Sequence, residues 1–590
     1  MSLLDKASLI VTPNAGKTGK LYSVIPSDGS GDLTVIRATT ATRVNSAGLI
    51  EVVPRNLLTY SNGFNAGTWA QARMSIVNNT TISPDGNLNA SSFIEDLSLE
   101  SHPLYVYNIP YIIGQSYNVS IYVKKGSRDY LVITATGSGA ATFNLNNGTT
   151  SSLNAIITPY NNGFYRCSFT FIPTSSVSEI YFEPAINGVT YYQGNGSTSL
   201  YIYGAQLDQG SLATEYFPTT TRLNIPRIDY TNGSCPAILI EPQRTNLVLR
   251  SEEFQTIWTN ERSSEQVNVI VSPAGILTGT KLVEDTTATS SHLILQGIGG
   301  LASGSTLSFT VYVKAAERTS VRLQINDGVS LANAVFANYN VSTGTASATQ
   351  SIGTFTGASS TISPVGNGWY RCSISGVATG VIAVQVRIFL LSAGNIVYTG
   401  DGTSGVYIWG AQLETGAYPT SYIPTLGSAQ TRNLDNISKT AVSALIGQTE
   451  GTIFAEVRIS RLIGTVSRYI FHISDGTANN RIYIAFSGAS SNIIRARIFK
   501  AGNLETTIET STITTTGRYK LALAYKNNDV VFYVNGVQIG TDVTASIPAC
   551  SRVDLGQNYI AASQFADSII NANIFKTRLT NTELQNLTTL

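Results

Sequence analysis

Two of the three histidines sit in the same sequence frame. Glu95-Asp96 precedes Ser101-His102, and Glu284-Asp285 precedes Ser291-His292. An imidazole beside two carboxylates suits several divalent metals. The same trio also makes a hydrogen-bonded lock, in which histidine fixes a loop or strand edge. The lock is the preferred reading, because repetition shows only that a common ancestor carried the trio. His472 falls on an apolar stretch and reads as structural. Other catalytic patterns are missing. No Glu-x-Asp-x-Glu strand sets carboxylates on one face for glycoside hydrolysis, and Glu456 stands alone. No Gly-x-Ser-x-Gly elbow occurs. Gly16-Lys17-Thr18 lacks the upstream glycine of a phosphate loop. Asp475 before Gly476 is one acidic residue, which gives a calcium ion weak support. No metal or cofactor is expected, and the chain is not expected to be an enzyme.

Binding chemistry has a few candidates. Trp69, Trp258, Tyr122 and Tyr312 could stack on sugar rings. The plainer reading, which is preferred, has the tryptophans in a core and the tyrosines covering a strand surface or interface. Arg166 and Arg371 alternate away from Tyr165, Cys167, Tyr370 and Cys372. A structural bridge from these arginines to Asp208 and Glu414 is expected, since guanidinium and carboxylate match bidentately. Cys167 and Cys372 read as small buried hydrophobes. A Cys235–Cys372 disulfide is left open.

Strands must position these residues. Tyr117, Val119, Ile121 and Val123 alternate with Asn118, Ser120, Tyr122 and Lys124. Leu307, Phe309, Val311 and Val313 alternate with Ser308, Thr310, Tyr312 and Lys314. Period-two alternation predicts half-buried antiparallel strands. The two stretches belong to a duplication. Gly163-Phe164-Tyr165-Arg166-Cys167-Ser168 returns as Gly368-Trp369-Tyr370-Arg371-Cys372-Ser373. Tyr203-Gly204-Ala205-Gln206-Leu207-Asp208 returns as Trp409-Gly410-Ala411-Gln412-Leu413-Glu414. The period is domain-sized, so two modules stand in tandem, over residues 46–221 and 222–430. Arg55-Asn56-Leu57 before the first is a shorter form of Glu241 to Leu247 in the second.

Residues 431–590 carry a different pattern of strands and hairpins, with Asn535-Gly536 as a tight turn. Thr580 and Glu583 form a capping box that predicts a short terminal helix. Residues 1–45 match neither repeat and read as an extended docking arm without its own core. The fold class expected is all-β: tandem antiparallel β-sandwiches of jelly-roll type, an N-terminal arm and a short C-terminal helix.

Charged residues are only 12% of the 590, and net charge is +1. No electrostatic footprint for nucleic acid or an anionic membrane is present. No apolar run reaches the ~20 residues of a membrane-spanning helix. Met1 to Lys6 does not read as a secretory signal.

The two repeats resemble carbohydrate-binding-module-like β-sandwiches of tailed-bacteriophage structural proteins. The Tyr-Val-Lys strand, the Gly-(Trp/Phe)-Tyr-Arg-Cys-Ser strand, the Gly-Ala-Gln-Leu-(Asp/Glu) segment and Glu241 to Leu247 carry that likeness. The last unit resembles the concanavalin-like, laminin-G-type jelly roll through its Tyr525-Lys526 to Asn535-Gly536-Val537 hairpin. The resemblance implies a non-enzymatic virion fibre or appendage on the particle surface, made in the host cytoplasm. It would dock to other virion proteins by its N-terminus and display domains for host glycan or receptor binding. A homo-oligomer, with a trimer as the first guess, follows on family grounds. The alternatives are an architectural head fibre or decoration protein without ligand, and a glycan-degrading enzyme, which the missing carboxylate pair opposes.

Overall fold

A computed structural model describes residues 3–590 apart from 54–55, 110, 112, 114–115, 175–178, 222, 232 and 465. Arg55 of the shortened motif therefore lies outside the described residues. The protein is all-β and multidomain. Its α-helix among the described residues is Asn581–Thr588, started by the Thr580/Glu583 capping box. The chain forms two compact units. One is Val53–Leu223; the other joins the chain up to Val52 to Asn224–Leu590.

The Val53–Leu223 unit is the first repeat. One six-stranded antiparallel sheet is centred on Tyr117–Lys125, flanked by Tyr165–Phe171 and Thr198–Gln209. The other is centred on Tyr130–Ala135 and Ile180–Ala185. Val119, Ile121, Cys167, Phe169 and Leu207 meet Leu131, Ile133, Phe143 and Phe182 between them. The second repeat uses the same plan, with Ser305–Ala315 between Trp369–Ala378 and Gly405–Thr415. Cys167 and Cys372 are buried and free, and burial pushes both thiols up. Cys235 is also free, so the Cys235–Cys372 disulfide is not formed.

The alternation succeeds on one face and misleads on the other. Asn118, Ser120, Tyr122, Ser308, Thr310 and Tyr312 are polar or amphipathic, yet all are buried. The segment after the last strand of each repeat returns over this outer face. Gln206 anchors it, donating to the Thr214 and Glu215 carbonyls and accepting from Phe217 N–H. Gln412 repeats this with Thr420, Ser421 and Ile423. Asn56 and Asn246 close the other side, each bonding the last strand and the return segment. The repeated Gly-Ala-Gln-Leu and Asn-Leu motifs are thus clasps.

The rest of the larger unit is a sixteen-stranded sheet around one large apolar core. Residues 3–45, expected as a docking arm, are built into this sheet. Ala7–Lys17 pairs with Asp567–Phe575, and Leu33–Ile36 pairs with Asn436–Lys439. Leu9, Val11, Leu21, Leu33 and Val35 are buried in that core beside Ile437 and Ile574. Ala237–Ile240, just before the Glu241 motif, also adds to Asp567–Phe575. These short apolar sets are too small for a core of their own, but each fills a gap in a distant sheet.

Buried charge welds the crossing segments. Arg37 and Arg227 both hold Asp435, while Arg227 and Arg432 both hold Glu241 at 2.7 Å. Burial opposes ionisation of both carboxylates. Arg432 and Arg227 outweigh it at Glu241, and Arg227 and Arg37 at Asp435, so both stay below the ordinary carboxylate range.

Candidate functional site

None of the four aromatic candidates offers a face to a sugar. Trp69, Trp258, Tyr122 and Tyr312 are 7%, 6%, 6% and 3% exposed. Trp69 and Trp258 fill the sandwich cores against Phe64 and Phe254. Tyr122 lies under Tyr203 and Tyr216, and Tyr312 under Trp409 and Tyr422. The clasped return segment, which alternation does not reveal, covers both tyrosines. Nor do the expected Arg–carboxylate bridges form. Arg166 donates to Ser120 Oγ, and Asp208 accepts from Thr214. Arg371 donates to Thr310 Oγ1 and to the Thr420 carbonyl. Tyr165 and Tyr370 pack partly buried against their cores.

The repeated histidine frame assembles, as a lock. Glu95 is gripped by Arg128, the Tyr192 hydroxyl and Asn195 N–H. Glu284 is gripped by Arg318, the Tyr398 hydroxyl and Asp401 N–H. His102 and His292 are buried against Tyr192 and Tyr398, and each approaches its neighbouring aspartate, Asp96 or Asp285, at 3.2 Å. Each glutamate's acceptors are thus committed to protein donors. No group of three or more His, Cys, Asp or Glu side chains is arranged to hold a metal among the described residues.

A different constellation stands on the C-terminal sheet. Along Arg468–Ser474, Arg481–Phe486 and Ile494–Lys500, one set of side chains enters the core: Ile473, Ile482, Ile484, Ala496 and Ile498. The alternate positions form the opposite face. There His472 stands across from Tyr483, Tyr483 from Arg497, Arg481 from Phe499 and Ala485 from Arg495. Tyr469 and Tyr483 rings lie 4.9 Å apart, and Arg481 covers Phe499 at 4.2 Å. Arg495 meets Glu509 at 3.4 Å. Arg481 and Arg497 have no ion-pair or hydrogen-bond partner among the described residues. Burial and then the charge of Arg497 push the Arg495 guanidinium down.

His472 lies fully buried beneath this face, between Tyr469, Tyr483 and Tyr559. Neither ring nitrogen has a hydrogen-bond partner among the described residues. The Asp554 carboxylate is 3.5 Å from Nδ1 but is already held bidentately by Arg552. Burial holds His472 below its ordinary value, so it is neutral at pH 7. Arg495 is buried while Arg481 and Arg497 are partly exposed, and guanidiniums beside aromatic rings are the chemistry that recognises a carboxylate on a ring-shaped ligand. Alternation around His472 hides this site, because it marks the apolar face only. The signal in the sequence is the spacing Arg481-x-Tyr483 and Arg495-x-Arg497, in a chain otherwise poor in charge.

No family model and no curated protein matches this sequence. Several solved structures share parts of the fold. A Ruminococcus gnavus sialidase CBM40 bound to α2,3-sialyllactose is 17% identical, with 24% of this chain and 84% of that one covered, at a TM-score of 0.21. The tandem CBM22 domains of Paenibacillus barcinonensis Xyn10C are 9% identical, covering 61% of this chain and 98% of that one, at 0.19. Domains LG4-5 of mouse laminin α1 are 10% identical, covering 49% and 85%, at 0.18. Likenesses this partial carry no function.

Proposed function

We propose that this chain is a non-catalytic binding protein whose C-terminal sheet takes an acidic saccharide on the Arg481/Arg495/Arg497 face. One observation carries the reading: three guanidiniums on two adjacent strands share one face with a single paired carboxylate, Glu509 on the next strand. Arg495 and Arg497 lie on one face of one strand, and the charge of Arg497 adds to burial in pushing the Arg495 guanidinium down. A ligand carboxylate would relieve that repulsion and complete the unused donors. Tyr469 and Phe499, both partly exposed, supply rings beside the charge.

Binding by the full-length chain to an array of acidic and neutral glycans tests this. Retention of uronic- or sialic-acid glycans, lost in Arg481→Ala/Arg497→Ala, is expected. Binding indifferent to that double substitution, or binding only of neutral glycans, overturns it. Within this reading the chain is a surface appendage of a tailed-phage particle, presenting the face to host glycans as a homo-oligomer. Antibody-labelled electron microscopy of particles tests the placement; an unlabelled particle would remove it. A purely architectural role is favoured by the burial of all four repeat aromatics, and an array without any acidic ligand would select it.

A further inference from the structure

The two repeats differ at one sandwich edge. Register aligns them there: Asn144 pairs with Tyr130 and Thr149, as Asn340 pairs with Ser320 and Thr345. Gly139 and Ala140 therefore correspond to Val335 and Phe336. In the second repeat the chain adds a further strand at this edge. Ala334, Val335 and Phe336 pair with Ile352, Ser351 and Gln350. The chain then turns, and Phe355 enters the core, 2% exposed, at the start of Phe355–Pro364. Its neighbour Thr356 pairs with Val377, the counterpart of Ile172.

The first repeat has no such segment. Thr149–Thr150 is followed almost directly by Ala155–Pro159. No strand lies along Gly139–Ala140 on that side among the described residues. An open groove of about 450 Å³ remains, lined by Gly139, Ala140, Phe169, Phe171 and Ile172 among others. Phe171 replaces Gly376 and, with Phe169 in place of Ile374, fills part of the core beside the groove. Ile172, at the rim of the opening, is 53% exposed. An unpaired strand edge above an apolar floor is the geometry that accepts an added strand.

We propose that the first repeat is completed by an extended segment of another polypeptide. That segment adds as a strand along Ser138–Ala140, the counterparts of Ala334–Phe336, and places one large apolar side chain in the groove. The second repeat supplies the template: Gln350–Ile352 for the strand and Phe355 for the anchor. The partner chemistry is thus an uncharged, extended peptide with an aromatic or large aliphatic residue three positions after its paired stretch.

The probe is a synthetic peptide of residues 348–357 of this chain, titrated into the full-length protein. It is expected to bind one-to-one and to slow exchange of the Ala140 amide, which faces the open edge. A Phe355→Ala peptide is expected to bind at least about tenfold more weakly, through loss of the buried ring. Grafting residues 347–359 in place of 151–154 is expected to raise the melting temperature of this unit and abolish peptide binding. Ala140→Pro, which removes an edge N–H, should abolish binding without the graft's stabilisation. No peptide binding, an Ala140 amide already protected in the protein alone, or binding indifferent to the anchor and the graft would overturn the proposal.

Discussion

Arg371 and Glu414 never touch; Thr420 stands between them and serves both. Its carbonyl accepts from Arg371 Nη2 at 2.7 Å, and its N–H donates to Glu414 Oε2 at 2.8 Å. Its hydroxyl also donates to Glu414 Oε1. The two repeated charges thus clamp the return segment rather than each other. Glu414→Leu should strand a buried N–H and a hydroxyl, costing about 1–3 kcal/mol for each. Arg371→Met should cost less, since the Thr420 carbonyl retains Gln412 at 3.4 Å. Urea denaturation of both variants measures this, and equal losses would contradict the clamp.

The N-terminal strands should be indispensable to the C-terminal sheet. Val11→Ala and Leu33→Ala remove side chains with no exposed surface. Losses of about 1–4 kcal/mol are expected by analogy with other core truncations. Deleting residues 7–36 should prevent folding of the 431–590 region, seen as lost near-ultraviolet dichroism. A stable fragment of 431–590 alone would show that the strands are accessory.

Glu252 gives the second repeat a distinctive pH dependence. Burial pushes its carboxyl up to about 7, against the opposing hydrogen bonds from Tyr422 and Trp409. The folded state therefore holds this proton more tightly than the unfolded chain, whose value is about 4.3. The associated stability is complete below pH ~4.3 and is lost as pH rises through about 7. Glu252→Gln should flatten the melting temperature between these limits and raise it at pH 8. An unchanged slope would assign the titration elsewhere. The depressed Glu241 and Asp435 act in the opposite sense, adding stability above pH ~4 that acid removes.

Relief of repulsion should make the Arg497 site a trade between stability and binding. Without ligand, Arg497→Ala is expected to stabilise the protein by about 0.5 kcal/mol at low salt. The gain should shrink as salt screens the cluster. The same variant should lose retention on an acidic polysaccharide gel. Destabilisation at low salt would show that Arg497 has a packing role instead.

The all-β class, the duplication and the terminal helix were legible in the residues themselves. Val119, Ile121, Phe309 and Val311 enter cores because strand geometry sends alternate side chains to one face, a local rule. The capping box at Thr580 and Glu583 is equally local. What the other face meets is not local. Tyr122 and Tyr312 are covered because Gln206 and Gln412 bind carbonyls of a segment that has left the sheet. Leu9 and Leu33 lose their solvent to strands that follow more than four hundred residues later in the chain. The Arg481, Arg495 and Arg497 cluster forms because register sets two strands side by side, and no periodicity announces register. Sequence alone determined which residues alternate and which repeat. Tertiary structure decided which surfaces remained open, because burial and pairing depend on segments brought together only by the folded chain.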